Sequence, residues 1–493
     1  MLMFCIFFAH LKFMIVKYLF VLMECKMKKS NILKYAISFL IIFGLAGCDD
    51  SSSDSTDDST TTVVDTDTDT VVEDDTDTDD VIEDEDEVVE DDTYADDDTS
   101  PWIINNSTLS TYIYEDTLTS GVVEDAQTVE TVTIDDVEYT KVEATDIPKY
   151  NVVITQDMVD ALNDRPNAND DFTSGETTAV VGETYEFGQD IGYVEDTEES
   201  QNCIVTGGIG YWPPGPACPT EQEVEAYFPV SPVDTDEECA TGANSIGLLV
   251  NGAAIFNWGD TFTYATSTWY NVAPVAEQYD VDICNGHSAN GAYHHHSYTS
   301  CIATLVDDEA DGHSPIYGYS ADGYPLYGPY ESDGVLAISG WVKRDYSLTN
   351  AEGGCNSTDG ERTCVLVDEY DVSQGTTDLD SSEYGPDVGV EVETLSGNLI
   401  AADEGYYYED YYYAQNTVTG EQLDEHNGHD TGDGKGYHYH TTLAYDDEGT
   451  LTGSFPYHMG PTFKAELPDS DYALATCDSD DSDIEMDNGP GGR

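Results

Sequence analysis

Basic residues are scarce in this 493-residue chain: 15 Lys and Arg face 101 Asp and Glu, a formal net charge of −86. Nucleic-acid binding needs a basic surface to neutralise phosphates, so that function class is excluded. Docking on anionic lipid through a basic patch is excluded for the same reason. Long helical periodicity is also lacking; only Met158 to Leu162 reads as a short helix. No Cys-x2-Cys spacing occurs, which speaks against a thiolate zinc site. The Gly-x-Ser-x-Gly elbow, the phosphate loop and His-Glu-x-x-His are all missing. What the charge favours is solubility and a high local concentration of cations.

Residues 1–47 hold six of the 15 bases and two apolar stretches. The second stretch, Tyr35 to Leu45, follows Met27-Lys28-Lys29 and precedes Leu45-Ala46-Gly47-Cys48. A charged start, a short apolar run and small residues before a cut describe a secretory signal. Met27 is the expected translation start. Leu-Ala-Gly-Cys resembles the lipobox of bacterial lipoproteins, which implies lipidation of Cys48, a membrane anchor through that lipid and a place in the cell envelope. Residues 48–100 then form a disordered acidic linker: positions 49–99 hold 25 acids and no base. Such a segment cannot bury enough apolar surface to fold.

Eight cysteines follow Cys48, an even number that reads as disulfides in an exported protein. Cys355 with Cys364 would close a tight loop, and Cys284 with Cys301 a loop around a histidine motif; the other pairings are open. Residues 101–200 read as a small β-rich region, with strands expected at Val129–Ile134 and Tyr150–Ile154. From 201 to 468 short apolar runs alternate with Gly, Tyr, Pro and Asn. The expectation is a mainly β, antiparallel, sandwich-like body with long loops. Residues 469–493 form an acidic tail. The tyrosines of Tyr406–Tyr408 and Tyr411–Tyr413 suggest a strand with one buried face.

Ten of the eleven histidines lie between 287 and 458, and they follow a repeated pattern. Asp282-Ile283-Cys284-Asn285-Gly286-His287 leads to Tyr293-His294-His295-His296. Asp424-Glu425-His426-Asn427-Gly428-His429 leads to Tyr437-His438-Tyr439-His440. In a strand, i and i+2 share a face, so His294 projects with His296 and His438 with His440. Each Asn-Gly turn folds His287 or His429 back toward that strand. Each copy thus presents three imidazoles, and two copies in one sheet could converge. Such clusters suit a transition metal, zinc or copper above all. Glu277, Asp282 and Asp424 are candidate ligands or acceptors for imidazole N–H groups. His313 and His458 are further candidates, and Asp430–Gly434 is a possible calcium loop.

This pattern resembles the YHYH domain family of bacterial exported proteins. Val250–Asn257, His313–Tyr319 and Asp322–Pro329 fit the same family. The resemblance covers roughly residues 240–465 and implies little about mechanism. In the second copy His426 and Pro461 stand where the family has cysteines, which puts the local bracing of that motif in doubt. Three functions remain in play: a metal-binding envelope lipoprotein, a structural or adhesive module whose histidines brace the fold, and a metal-dependent hydrolase or oxidoreductase.

Overall fold

A computed structural model describes residues 100–477, apart from 115–119, 173, 194–217, 266, 358–359, 416–421, 447–448 and 470. The signal segment, Cys48, nearly all of the linker, Cys203 and the end of the tail lie outside the described residues. The rest is mainly β, with short helices. The Val129–Ile134 run lies in β1 (Ala126–Ile134), which turns through Asp135-Asp136 into β2 (Val137–Ala144). Both aspartates have positive φ, 48° and 70°, a turn geometry whose twist matches the flanking strands. β3 (Val224–Pro229) pairs with β2, so the first sheet draws a strand from beyond residue 200. Met158 to Leu162 falls inside α1 (Gln156–Asn163), capped by the Thr155 hydroxyl on the Met158 N–H.

The central sheet has eight strands. They are β4 (Ser245–Leu249), β5 (Ala254–Phe256), β6 (His287–Ala289), β7 (Ala292–His295), β8 (Ile316–Ser320), β9 (Pro325–Tyr327), β10 (Gly428–His429) and β11 (His438–His440). Their order across the sheet is β6-β7-β5-β4-β8-β9-β11-β10. β4 and β8 meet antiparallel at the centre. Outward on either side comes an antiparallel hairpin partner, then a parallel neighbour, then an antiparallel edge strand. Order and direction therefore read the same from both edges, as a two-fold pseudosymmetry requires. The body is antiparallel as expected, except for these two parallel pairs.

One core joins the first region to this sheet: Trp102, Ile113 and Phe187 pack in the same cluster as Leu248, Ile255, Tyr293 and Tyr439. The tyrosine-rich segment ends in a strand, Tyr411–Tyr413, paired with Trp341–Lys343; Tyr411 and Tyr413 are buried while Tyr412 is not. Between its two tyrosine runs Asp410 forms a fully buried bidentate pair with Arg362, at 2.9 and 2.8 Å. Both expected disulfides, Cys284–Cys301 and Cys355–Cys364, are present. A third, Cys239–Cys477, ties the start of the body to the tail. Cys218 is also disulfide-bonded.

Candidate metal centres

The two histidine copies share one sheet but do not converge. They occupy its opposite edges, and among the described residues no donor group mixes them. The palindromic strand order is the cause: it places β5, β4, β8 and β9 between the two hairpins.

Within each copy the expected local geometry holds. His287 lies opposite His294 across the β6–β7 hairpin, and His429 opposite His438 across β10–β11. The alternate residues turn to the other face, where His295 Nε2 meets the Tyr150 hydroxyl at 3.2 Å and Tyr439 donates to Asp322 at 2.7 Å. Among the described residues, Asp282 and Asp424 stand outside the donor groups. Asp282 accepts from the Tyr293 hydroxyl and the Cys284 and Gly286 N–H groups; Asp424 accepts from Tyr437, His426 and Gly428. These carboxylates shape the Asn-Gly turn and anchor it to the tyrosine that opens the next strand. Both carboxylates reach back to N–H groups of their own turn, a role that spacing alone did not reveal.

At the first edge, His294 and His296 direct Nε2 at Nε2 across 3.1 Å. Their Nδ1 atoms lie 3.0 Å from the Ala292 carbonyl and 2.6 Å from that of Asn257. A carbonyl only accepts, so each Nδ1 carries a proton. Burial pushes both imidazoles well below the usual range, His296 to about 4, so neither holds a second proton at neutral pH. Two bare lone pairs therefore face each other. That arrangement is repulsive unless a cation lies between them. Glu277, which follows the short helix α2 (Ala273–Ala276), lies beside the triad of His287, His294 and His296. One of its carboxylate oxygens lies 3.4 Å from His287 Nε2 and 3.5 Å from His296 Nε2. Burial and the nearby Asp260 hold that carboxyl well above its usual range. Burial also lowers His287 to about 3. Ligands about 2.0–2.1 Å from a tetrahedral ion sit about 3.3–3.4 Å from one another, and the three distances of 3.1, 3.4 and 3.5 Å lie near that spacing.

The second edge repeats this chemistry. His438 Nδ1 meets the Gly436 carbonyl at 2.7 Å and His440 Nδ1 that of Gly328 at 2.6 Å. His313 joins them, its Nδ1 on the Ser314 carbonyl at 2.9 Å. The Nε2 atoms of His313, His438 and His440 are covered yet make no hydrogen bond. These three donors lie within 4.8 Å of one another. A second triad of Glu331, His429 and His440 shares His440, with Glu331 3.1 Å from His429 and 3.6 Å from His440.

Glu331 was not foreseen from the sequence. A signal for it existed in the hairpins: Asn251–Asn257 and Asp322–Gly328 are themselves a repeat, Asn/Asp-Gly-x-x-Ile/Leu-Phe/Tyr-Asn/Gly. That repeat supplies the matching carbonyls of Asn257 and Gly328, and it points to the residues just beyond, Asp260 and Glu331. His458 joins neither group; its Nδ1 meets the Thr441 hydroxyl at 3.0 Å. His426 binds the Thr462 hydroxyl at 2.8 Å, and Gly460 N–H donates to the His426 carbonyl, so hydrogen bonds brace the loop that lacks cysteines. In the Asp430–Gly434 loop, Asp430 accepts from the Gly432 N–H and Asp433 pairs with Lys435.

Residues 225–453 match the model of the YHYH protein family. No curated protein and no solved structure is similar enough to the chain to match.

Proposed function

Taking residues 225–453 as a YHYH domain, we propose that the protein binds two transition-metal ions, one at each edge of its central sheet. Zinc or copper fits imidazole-rich donors best. Glu277, His287, His294 and His296 hold the first ion; His313, Glu331, His429, His438 and His440 supply the second. The observation that carries this reading is the pair of neutral imidazoles, each committed through Nδ1 to a carbonyl, whose bare nitrogens face each other at 3.1 Å. Backbone acceptors of this kind fix the tautomer of a ligating histidine. Elemental analysis of the untagged mature chain should find two ions per molecule. A His294→Ala/His438→Ala variant should keep fewer than half of them. A folded wild-type chain that takes up neither zinc nor copper on titration would sink the proposal and favour the bracing role. Turnover that requires the ion would add an enzymatic role.

The same proposal places the domain in the cell envelope, held by a lipid on Cys48 and spaced from the membrane by the acidic linker. The mature protein should partition into detergent, and Cys48→Ser should release it; a variant that stays with the membrane would refute the anchor.

A further inference from the structure

The pseudosymmetry is broken around the two metal groups, always in the same sense. At the first edge the hairpin tip is pinned: the Thr220 N–H donates to the Gly291 carbonyl at 2.9 Å, and a side chain added at Gly291 would collide with Thr220. The Phe256 ring stacks flat on His294 with centroids 3.8 Å apart. All three imidazoles there are buried. At the second edge the loop from Asp430 to Gly436 is two residues longer. Residues 430–435 are exposed, and added side chains at Gly432, Gly434 or Gly436 would meet nothing within 4 Å. Tyr327, the counterpart of Phe256, lies edge-on to His438 at 4.8 Å instead of covering it. His313 and His429 are only partly buried. His313 arrives from the acidic, largely exposed stretch Asp307-Asp308-Glu309-Ala310-Asp311, and Asp430 and Asp433 lie within electrostatic reach of His429.

The donor sets differ as well. The first group is a single triad, His287, His294 and His296, with Glu277 beside two of its members. The second is two overlapping triads that share His440, whose Nε2 can serve only one ion at a time. Position 242, which precedes β4 as 313 precedes β8, is a glycine, so the first edge has no equivalent of His313.

We infer that the two sites divide retention from exchange: the first edge keeps its ion, and the second is the port through which a divalent transition metal enters and leaves. This rests on the metal-binding reading above. An arriving ion meets the acidic loops, is taken by the less buried triad members His313 or His429, and passes to its partners through His440. Fixed ligands behind a pinned hairpin offer no such stepwise route, because all donors must be lost together. Acidic loops at the mouth raise the local cation concentration and the capture rate.

The test uses the mature chain loaded with zinc and challenged with an excess of a chromogenic chelator. Release should occur in two phases of one ion each, separated by at least about tenfold in rate. His429→Ala should abolish the fast phase and leave the slow one; His287→Ala should do the reverse. Asp430→Asn/Asp433→Asn, which removes charge but no ligand, should slow zinc capture by the fast site at low salt and have no effect at high salt. Release of both ions in one phase, or loss of the fast phase on His287→Ala, would overturn the assignment while leaving metal binding intact. A wild-type chain that carries no ion would overturn both.

Discussion

At the residue scale, the protein repeatedly places ionisable groups where burial decides their charge. Glu409 is the case most easily isolated from the metal groups. It accepts the Tyr270 N–H at 2.9 Å, and burial lifts its carboxyl to about 8. In the unfolded chain the same group ionises near 4.5. Between those values the folded state binds a proton that the unfolded state has lost. Stability therefore falls as pH rises through this window. Glu409→Gln keeps an acceptor for Tyr270 and removes the titration. The variant should match the wild type at pH 4 and exceed it by about 1 kcal/mol or more at pH 7. Denaturant midpoints across pH 4–8 measure this, and a constant difference would show that Glu409 does not titrate as described. The histidines carry the opposite sign, since burial lowers them. Their neutrality at pH 7 is what leaves their nitrogens available as donors.

At the element scale, the unit that matters is the Asn-Gly turn with its strand. Asn285 and Asn427 adopt positive φ, 59° and 68°, and the following glycine packs against the tyrosine of the next strand. A Cβ on Gly286 would fall 2.6 Å from Tyr293 Cζ and 2.8 Å from His295 Cε1. Gly286→Ala must therefore push Tyr293 off Asp282 and tilt the hairpin. The expected cost is about 1–3 kcal/mol, on the scale of overpacking a tight core. On the proposed metal-binding reading, the ion of the first edge should go with it, leaving one ion per molecule by elemental analysis. Retention of both ions would mean that the turn does not position His287. The turn, the i, i+2 projection of the imidazoles and the two disulfide loops were legible in the sequence because each joins residues no more than 17 positions apart. Which edge each copy occupies was not legible, since sheet order is set by long-range pairing. The roles of Asp282 and Glu331 hid for related reasons. A carboxylate three residues before an Asn-Gly turn looks the same whether it faces a metal or a tyrosine. Glu331 stands outside the His-rich motif and joins it only through the β8–β9 hairpin.

At the scale of the whole molecule, the scarcity of bases shapes how the chain holds together. From residue 100 onward 75 acids face nine bases. Of those bases, Arg344 and Arg362 are buried, while Lys141, Lys435 and Lys464 sit in ion pairs. Self-repulsion therefore works against the compact state, most strongly at low ionic strength. Covalent closure offsets it. Cys239–Cys477 spans 238 positions, and the segments it joins are already paired by the Asp234–Ala465 and Ala240–Thr462 bridges. The bond therefore acts chiefly on the unfolded chain, which it keeps from expanding. Replacing both cysteines by serine should cost about 2–5 kcal/mol, with the loss larger at low salt, where an open acidic chain relieves more repulsion by unfolding. Neither proposed metal group touches this bond, so on that reading two ions per molecule should remain bound under native conditions. Opening Cys284–Cys301, which flanks the first Asn-Gly turn, should instead release the ion of that edge. Equal denaturant midpoints with and without Cys239–Cys477 at low salt would show that charge repulsion does not govern the unfolded chain in this way.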